Sequence, residues 1–281
     1  EHLNCIEKEG FFVSYCDAPM KSDDAALRHY VRQMKTHVLN PLREKLGIDV
    51  SDESIRRAVE QHNQVCSLLQ EISAYRKEEN PRITGYEFAV LCTASYCCRK
   101  ELLIDRLASV AEELKTREAD AKPDFRVKVV VAGSEIDDPG LIRMMEEAGA
   151  RVVADRFCFG SLPERIPIAL NDTEDALTQI CRHYLQIGKC PRYMNAEKVM
   201  ERQDYVHQLV QEYHADGVIY QQMKFCDYWG YERAYASKNM REKYGVPTLS
   251  IDRPYVTGNS GQLRTRFQAF VESLEIKRLH I

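Results

Sequence analysis

At 281 residues the chain has room for one large domain or two ordinary ones. Hydrophobic residues make up 44% and charged residues 29%, a globular balance, and the formal net charge of −4 gives no general pull toward nucleic acid or an anionic membrane. No apolar run approaches the ~20 residues of a membrane-spanning helix, so a cytoplasmic protein with no membrane or nucleic-acid partner is expected.

Glu1-His2-Leu3-Asn4-Cys5 carries neither a basic n-region nor an h-region, so no signal peptide is expected. The chain lacks an initiator Met and is expected to be processed, trimmed or incomplete. Residues 11–15, Phe-Phe-Val-Ser-Tyr, predict a short strand closed by Asp17-Ala18-Pro19. Residues 23–46 predict a helix: Asp23 and Asp24 suit its first turn, Leu27, Tyr30, Val31, Met34 and Val38 recur at helical spacing, and Gly47 ends it. Ser51 is an N-cap for a second helix through Ile55, Val59, Cys66, Leu69 and Ile72. Pro81 interrupts, and helical periodicity returns from Tyr86 to Lys115.

The pattern changes at Ala121-Lys122-Pro123. Val127–Val131 is a buried-strand run followed by Ala132-Gly133-Ser134, residues 139–148 predict a helix, and 151–155 a second strand. Helices near 172–185 and 196–213 precede a strand at 217–220. A helix over 230–243 precedes a strand at 247–251, and a last helix covers 261–275. Alternating strands and helices imply a doubly wound, mostly parallel α/β domain from about 121 to 281, preceded by a helical region.

Open parallel sheets bind ligands beyond the carboxyl ends of their strands. Four places qualify: Gly133-Ser134, Asp155 to Gly160, Lys224 to Asp227, and Thr257 to Gly261. Cys226 stands just past a strand with Lys224 nearby, a setting that can lower a thiol pKa and make a metal-ligating thiolate. Gly258 to Gly261 opens a helix whose free N–H groups favour an anion. Gln262, Thr265 and Arg266 flank its apolar face, with Arg266 placed for a phosphate or carboxylate. Ala132-Gly133-Ser134 resembles half of a dinucleotide loop, but no GxGxxG follows and no nucleotide site is assigned; Ser134 is kept as a substrate-binding candidate.

Ten cysteines occur without a single CxxC, and no disulfide framework is expected. Cys97 and Cys98 fall in a helical pattern that splays their side chains by roughly 100°. Cys181 and Cys190 flank a helix end and are assigned packing roles. No HExxH or Gly-x-Ser-x-Gly motif supports a zinc or serine hydrolase. No catalytic residue is assigned.

Asp216-Gly217-Val218-Ile219, Lys224-Phe225-Cys226-Asp227, Gly245 to Asp252, and Gly261-Gln262 with Thr265-Arg266 and Ala269 to Glu272 together resemble the closing segment of 2-hydroxyacyl-CoA dehydratase and benzoyl-CoA reductase subunits. Val130–Ser134, Leu141–Ala150 and Val153–Gly160 resemble an upstream stretch, and Phe11 to Met20 the join out of the first domain. The resemblance implies residues 1–22 as the end of a truncated first α/β domain, 23–120 as a helical bridge and 121–281 as a Rossmann-like domain. It also implies an iron–sulfur lyase or oxidoreductase, anaerobic and dimeric, with a homologous second subunit. Its substrate would be an acyl-CoA, processed through a ketyl-type radical with an electron from an ATP-hydrolysing activator protein.

The same resemblance implies a [4Fe-4S] cluster with Cys226 as its late ligand. The other two ligands would lie outside this chain, which alone is expected to be inactive. Arg156 replaces a second acidic residue often found after the matched Asp155. Two alternatives are a double-cubane-cluster reductase of small molecules and a non-catalytic α/β electron-transfer or binding protein.

Overall fold

Helix α1 (Asp24–Met34) begins where Asp23, in extended conformation, accepts the Ala26 N–H at 2.8 Å. It runs through a π-helical turn (Lys35–Leu39) into α2 (Asn40–Leu46), which Gly47 ends at φ 65°. The computed structural model describes residues 13–119, 124–162, 165–193, 195–255 and 260–279. Strand formation is not seen at Val13–Tyr15, which have no regular structure; Tyr15 is 67% exposed, and these three residues pair with no described strand. Phe11 and Phe12 lie outside the described residues, as do Ala121 to Pro123.

The chain divides into two units. One comprises residues up to Glu60, with Ile168–Gly188 and Arg192–Asn195. Its core is a small cluster of Leu27, Leu177, Cys181 and Leu185, with Tyr30, Val31 and Met34 packed against it. Helix α3 (Asp52–Ala74) starts in this unit, where Asp52 accepts the Ala176 N–H at 2.5 Å and Arg56 donates to the carbonyls of Asn171 and Glu174, both at 2.9 Å. The Asp52 bond satisfies a free N–H at the start of α7 (Ala176–Arg182), which Asp175 caps, and the Arg56 bonds fix the loop leading into it. A second π-helical turn, His183–Ile187, follows α7.

The other unit comprises Gln61–Pro167, Lys189–Pro191 and the chain from Ala196. The rest of α3, α4 (Gly85–Cys97) and α5 (Lys100–Thr116) enclose Leu69, Ile72, Phe88, Cys92, Leu107 and Leu114, each almost fully buried. Thr84 and Glu87 form a reciprocal capping box at the start of α4. The helix expected to be continuous from Tyr86 to Lys115 is broken: Cys98 and Arg99 are extended, so Cys97 ends α4 and Cys98 lies outside it. The Thr-Ala-Ser-Tyr-Cys-Cys run has modest helix propensity and does not hold the turn together.

Four described strands, β1 (Val127–Gly133), β2 (Ala150–Phe157), β3 (Gly217–Met223) and β4 (Thr248–Arg253), form an all-parallel sheet in the order β2-β1-β3-β4. The crossovers are α6 (Gly140–Glu147), α8 (Ala196–Glu212) and α9 (Asp227–Tyr244), and α10 (Ser260–Leu279) follows β4. One face buries Val129, Val131, Val152, Ile219 and Ile251 against Ile142 and Met145 of α6 and against Leu263, Phe267, Phe270, Val271 and Leu274 of α10. The other buries Val130, Val153, Val218 and Tyr220 against Val206 and Val210 of α8 and Ala236 and Met240 of α9. A register shift between Val129 and Val130 leaves Val153 as an extra residue in β2. Each fully buried aliphatic side chain contributes about 1.5–3 kcal/mol. Among the described residues no helix is long and apolar enough to cross a membrane.

Candidate active site

The carboxyl ends of β1, β3 and β4 are tied together by a buried polar network. Gly133, the last residue of β1, has no room for a side chain: a Cβ there would overlap the Gln221 carbonyl oxygen. That close approach brings Ser134 against β3. Its N–H donates to the Gln221 carbonyl at 3.2 Å, its carbonyl accepts from Gln221 Nε2 at 2.6 Å, and its Oγ accepts from the Met223 N–H at 2.5 Å. Ser134 is 1% exposed, so its hydroxyl staples the β1 loop to β3 and does not face solvent.

Gln221 carries the network on. Its Oε1 accepts from Arg253 Nε at 3.2 Å, and Arg253 also donates to the Glu135 carbonyl. Burial lowers the guanidinium pKa of Arg253, opposed by Asp137 and Glu135. Tyr255 donates to Asp137 at 2.7 Å across the mouth of these loops.

Cys226 stands at the N-cap of α9, with φ −86° and ψ 89°. Its N–H donates to the Met223 carbonyl at 3.1 Å, and its carbonyl accepts from Gly230 N at 2.9 Å and Gln222 Nε2 at 3.1 Å. The side chain is half-buried, and the thiol is free. The preceding residue, Phe225, takes φ 71° while 96% exposed. A bulky residue in the left-handed region is uncommon, and such outliers concentrate where a loop is constrained for a task. Phe159, in the loop after β2, has φ 68°.

Arg266 donates to the Ser250 carbonyl at 2.7 Å, while Arg233 donates to Ser250 Oγ at 2.7 Å and to Gln222 Oε1 at 3.1 Å. A continuous hydrogen-bonded path therefore joins Arg266 through Ser250, Arg233 and Gln222 to the backbone of Cys226. Thr265 and Gln262 are exposed on α10, and the Thr265 hydroxyl donates back to the Gly261 carbonyl at 3.1 Å. Residues 257–259 of the expected anion-binding turn lie outside the described residues. The structure thus joins Ser134, Arg266 and Cys226 in one network and leaves Gln262 and Thr265 on the surface of α10.

Two further cysteines belong to this neighbourhood. Burial pushes the Cys158 thiol up to about 12, and the nearby Cys190 and Cys226 sulfurs push in the same direction. Cys158 follows β2 and was a candidate for lining the crevice. Cys190 precedes α8, and its sequence position carried no such signal. Trp229 of α9 is buried beside these groups, with the Arg156 guanidinium 5.7 Å from its ring. Asp155, matched by sequence to a family acidic position, points elsewhere. It accepts from Arg76 at 2.9 Å and from the Ser161 N–H at 2.6 Å.

A [4Fe-4S] cluster needs several thiolates converging on one point. Among the described residues no group of three His, Cys, Asp or Glu side chains is arranged to hold a metal ion. These residues therefore do not complete a cluster site, and Cys5 lies outside them.

A family model described as 2-hydroxyglutaryl-CoA dehydratase, D-component, matches residues 3–274. The chain is similar to the (R)-phenyllactyl-CoA dehydratase beta subunit of Clostridium sporogenes, at 26% identity over 81% of this chain and 59% of that protein. It is similar to the beta subunit of (R)-2-hydroxyglutaryl-CoA dehydratase of Acidaminococcus fermentans, at 24% identity over 98% of this chain and 72% of that protein. A benzoyl-CoA reductase subunit of Thauera aromatica is 22% identical over 95% of this chain and 68% of its own length.

Proposed function

Because the chain belongs to the 2-hydroxyglutaryl-CoA dehydratase, D-component family, we propose that it is part of a subunit of an enzyme acting on CoA thioesters by dehydration or ring reduction. The similar proteins are each named as one subunit of an enzyme. Those names support a partner subunit; the motif resemblance adds to the reading a [4Fe-4S] cluster and an ATP-hydrolysing activator that supplies the electron for radical chemistry. The double-cubane reductase is the sibling reading.

One observation carries the proposal: the Cys226 thiol stands half-buried at a strand end, on backbone held at three points. A fixed backbone fixes the direction of the Cα–Cβ bond, which a rigid metal centre requires of its ligand. In this reading Cys226 supplies one thiolate, and the remaining ligands come from beyond the described residues. The network from Ser134 to Arg253 holds the strand ends in place without consuming the thiol. Ser134 is sealed inside the protein, whereas half-buried Arg266 spends one guanidinium N–H on the Ser250 carbonyl and keeps its other donors for a carboxylate or phosphate. In this reading Gln262, Thr265 and Arg266 on α10 are the residues left to meet a CoA thioester.

The test is anaerobic co-expression of the longest reading frame containing this chain with its partner subunit, followed by iron and acid-labile sulfide assay. The expected result is an iron–sulfur protein that loses most of its iron in Cys226→Ala and keeps it in Cys97→Ala, a change at an exposed thiol. Absence of iron and sulfide from the wild-type protein rejects the enzyme reading in favour of a non-catalytic binding protein. Unchanged iron in Cys226→Ala rejects the ligand role alone.

A further inference from the structure

Beside β2 lies a cavity of about 290 Å³ that shares no lining residue with the strand-end network. Its walls come from α3 and the turn after it (Ser73, Arg76, Lys77), from Asp155 of β2, from the loop carrying Arg165, and from Tyr213 beyond α8. Leu69, Phe88 and Leu209 supply an apolar surface. The lining thus combines three cations and two carboxylates with a greasy wall.

The charges do not balance locally. Arg76 is 2% exposed and donates to Asp155 at 2.9 Å and to Ser73 Oγ at 2.8 Å, with its guanidinium 3.7 Å from the Phe88 ring centroid. Both Asp155 oxygens are taken, one by Arg76 and one by the Ser161 N–H. At the mouth Lys77 pairs with Glu212 at 3.2 Å. That leaves Arg165. It donates to the Gly160 carbonyl at 3.0 Å, lies 4.6 Å from the Tyr96 ring centroid and borders the Cys92 thiol. Burial pushes that thiol up to about 12, so it is neutral at ordinary pH. Among the described residues no carboxylate forms an ion pair with Arg165. The Nε–H groups of both Arg76 and Arg165 are buried without an acceptor.

Arg165 as a whole is half-buried and senses Asp155 without pairing with it, but its Nε–H is shut off from water, and a buried charged donor left without an acceptor is costly. Two orphaned Nε–H donors around one cavity call for an acceptor bearing negative charge, and planar guanidinium groups favour carboxylate or phosphate oxygens. The apolar wall sets the rest of the ligand. We propose that this cavity binds a small organic anion, with its carboxylate or phosphate head at Arg165 and Arg76 and a short apolar body against Phe88, Leu69 and Leu209. The site is independent of Cys226 and of any cluster.

Isothermal titration calorimetry on the 281-residue chain, with inorganic phosphate and with a series of straight-chain monocarboxylates, tests the proposal. The expected result is saturable binding of the carboxylates that tightens with chain length, with phosphate binding more weakly. Arg165→Gln weakens binding by about tenfold or more, and Cys226→Ser leaves it unchanged. A parallel NMR titration of the wild-type chain, following arginine Nε–Hε signals, serves if the variant fails to fold: two signals shift together with carboxylate. No saturable binding of either probe, or equal affinity in a folded Arg165→Gln protein, overturns the proposal. Loss of binding in Cys226→Ser overturns the assignment to this cavity.

Discussion

The strand-end network and the cavity beside β2 solve the burial of polar groups in opposite ways. At the strand ends, Ser134, Gln221 and Arg253 find acceptors and donors within the backbone of their own loops, and one thiol is left over. In the cavity the backbone supplies little, Asp155 is fully used, and positive charge is left over. A fully satisfied network can position a reactive group without binding anything itself. A partly satisfied one points to a missing partner.

The largest break in that comparison is Asp155→Ala. Removing the carboxylate strands Arg76 in the interior, and unfolding by urea is expected to show a loss of about 3–5 kcal/mol. Added phosphate or carboxylate should restore part of it if the cavity accepts anions; no effect of added anion on this variant would weaken the contrast. Ser134→Ala tests the other region. It leaves the Met223 N–H without its acceptor, and the expected loss is about 1–3 kcal/mol, with no response to added anion.

A smaller effect comes from pH and sharpens the comparison through one thiol in each region. Burial holds Cys92 and Cys158 up to about 12, against about 8.5 for a free thiol. Between these values the unfolded chain has released protons that the folded chain still holds. Stability is therefore fully present below the lower value and falls as pH rises, by about 1.4 kcal/mol per pH unit for each such thiol. Urea midpoints measured above about pH 9 should decline less steeply in Cys92→Ala than in the wild type; identical slopes would show that this thiol does not titrate on unfolding.

Much of the framework was legible from local pattern. The run Val127–Val131 could only be a buried strand, and Leu263, Phe267, Phe270, Val271 and Leu274 marked the face of α10 that packs on the sheet. Parallel strands followed from helices between them, and the four strand ends followed from parallel strands. The absence of a strand at Val13–Tyr15 was not legible, because it depends on whether a distant partner exists, and the break at Cys98 was not, because apolar periodicity continues across a stretch whose helix propensity is only modest.

The site divides along the same line. Position in the sequence was enough to place Cys226 at a strand end, since strand and helix periods are properties of neighbouring residues. It could not show that Ser134 is sealed beneath Met223, that Arg266 is tied to Ser250, or that Cys190 comes near Cys158. Nor could it show the Arg165 Nε–H buried without an acceptor. Those facts depend on which residues from distant segments share a small volume. Hydrogen-bond and charge balance are settled only when the tertiary fold brings them together.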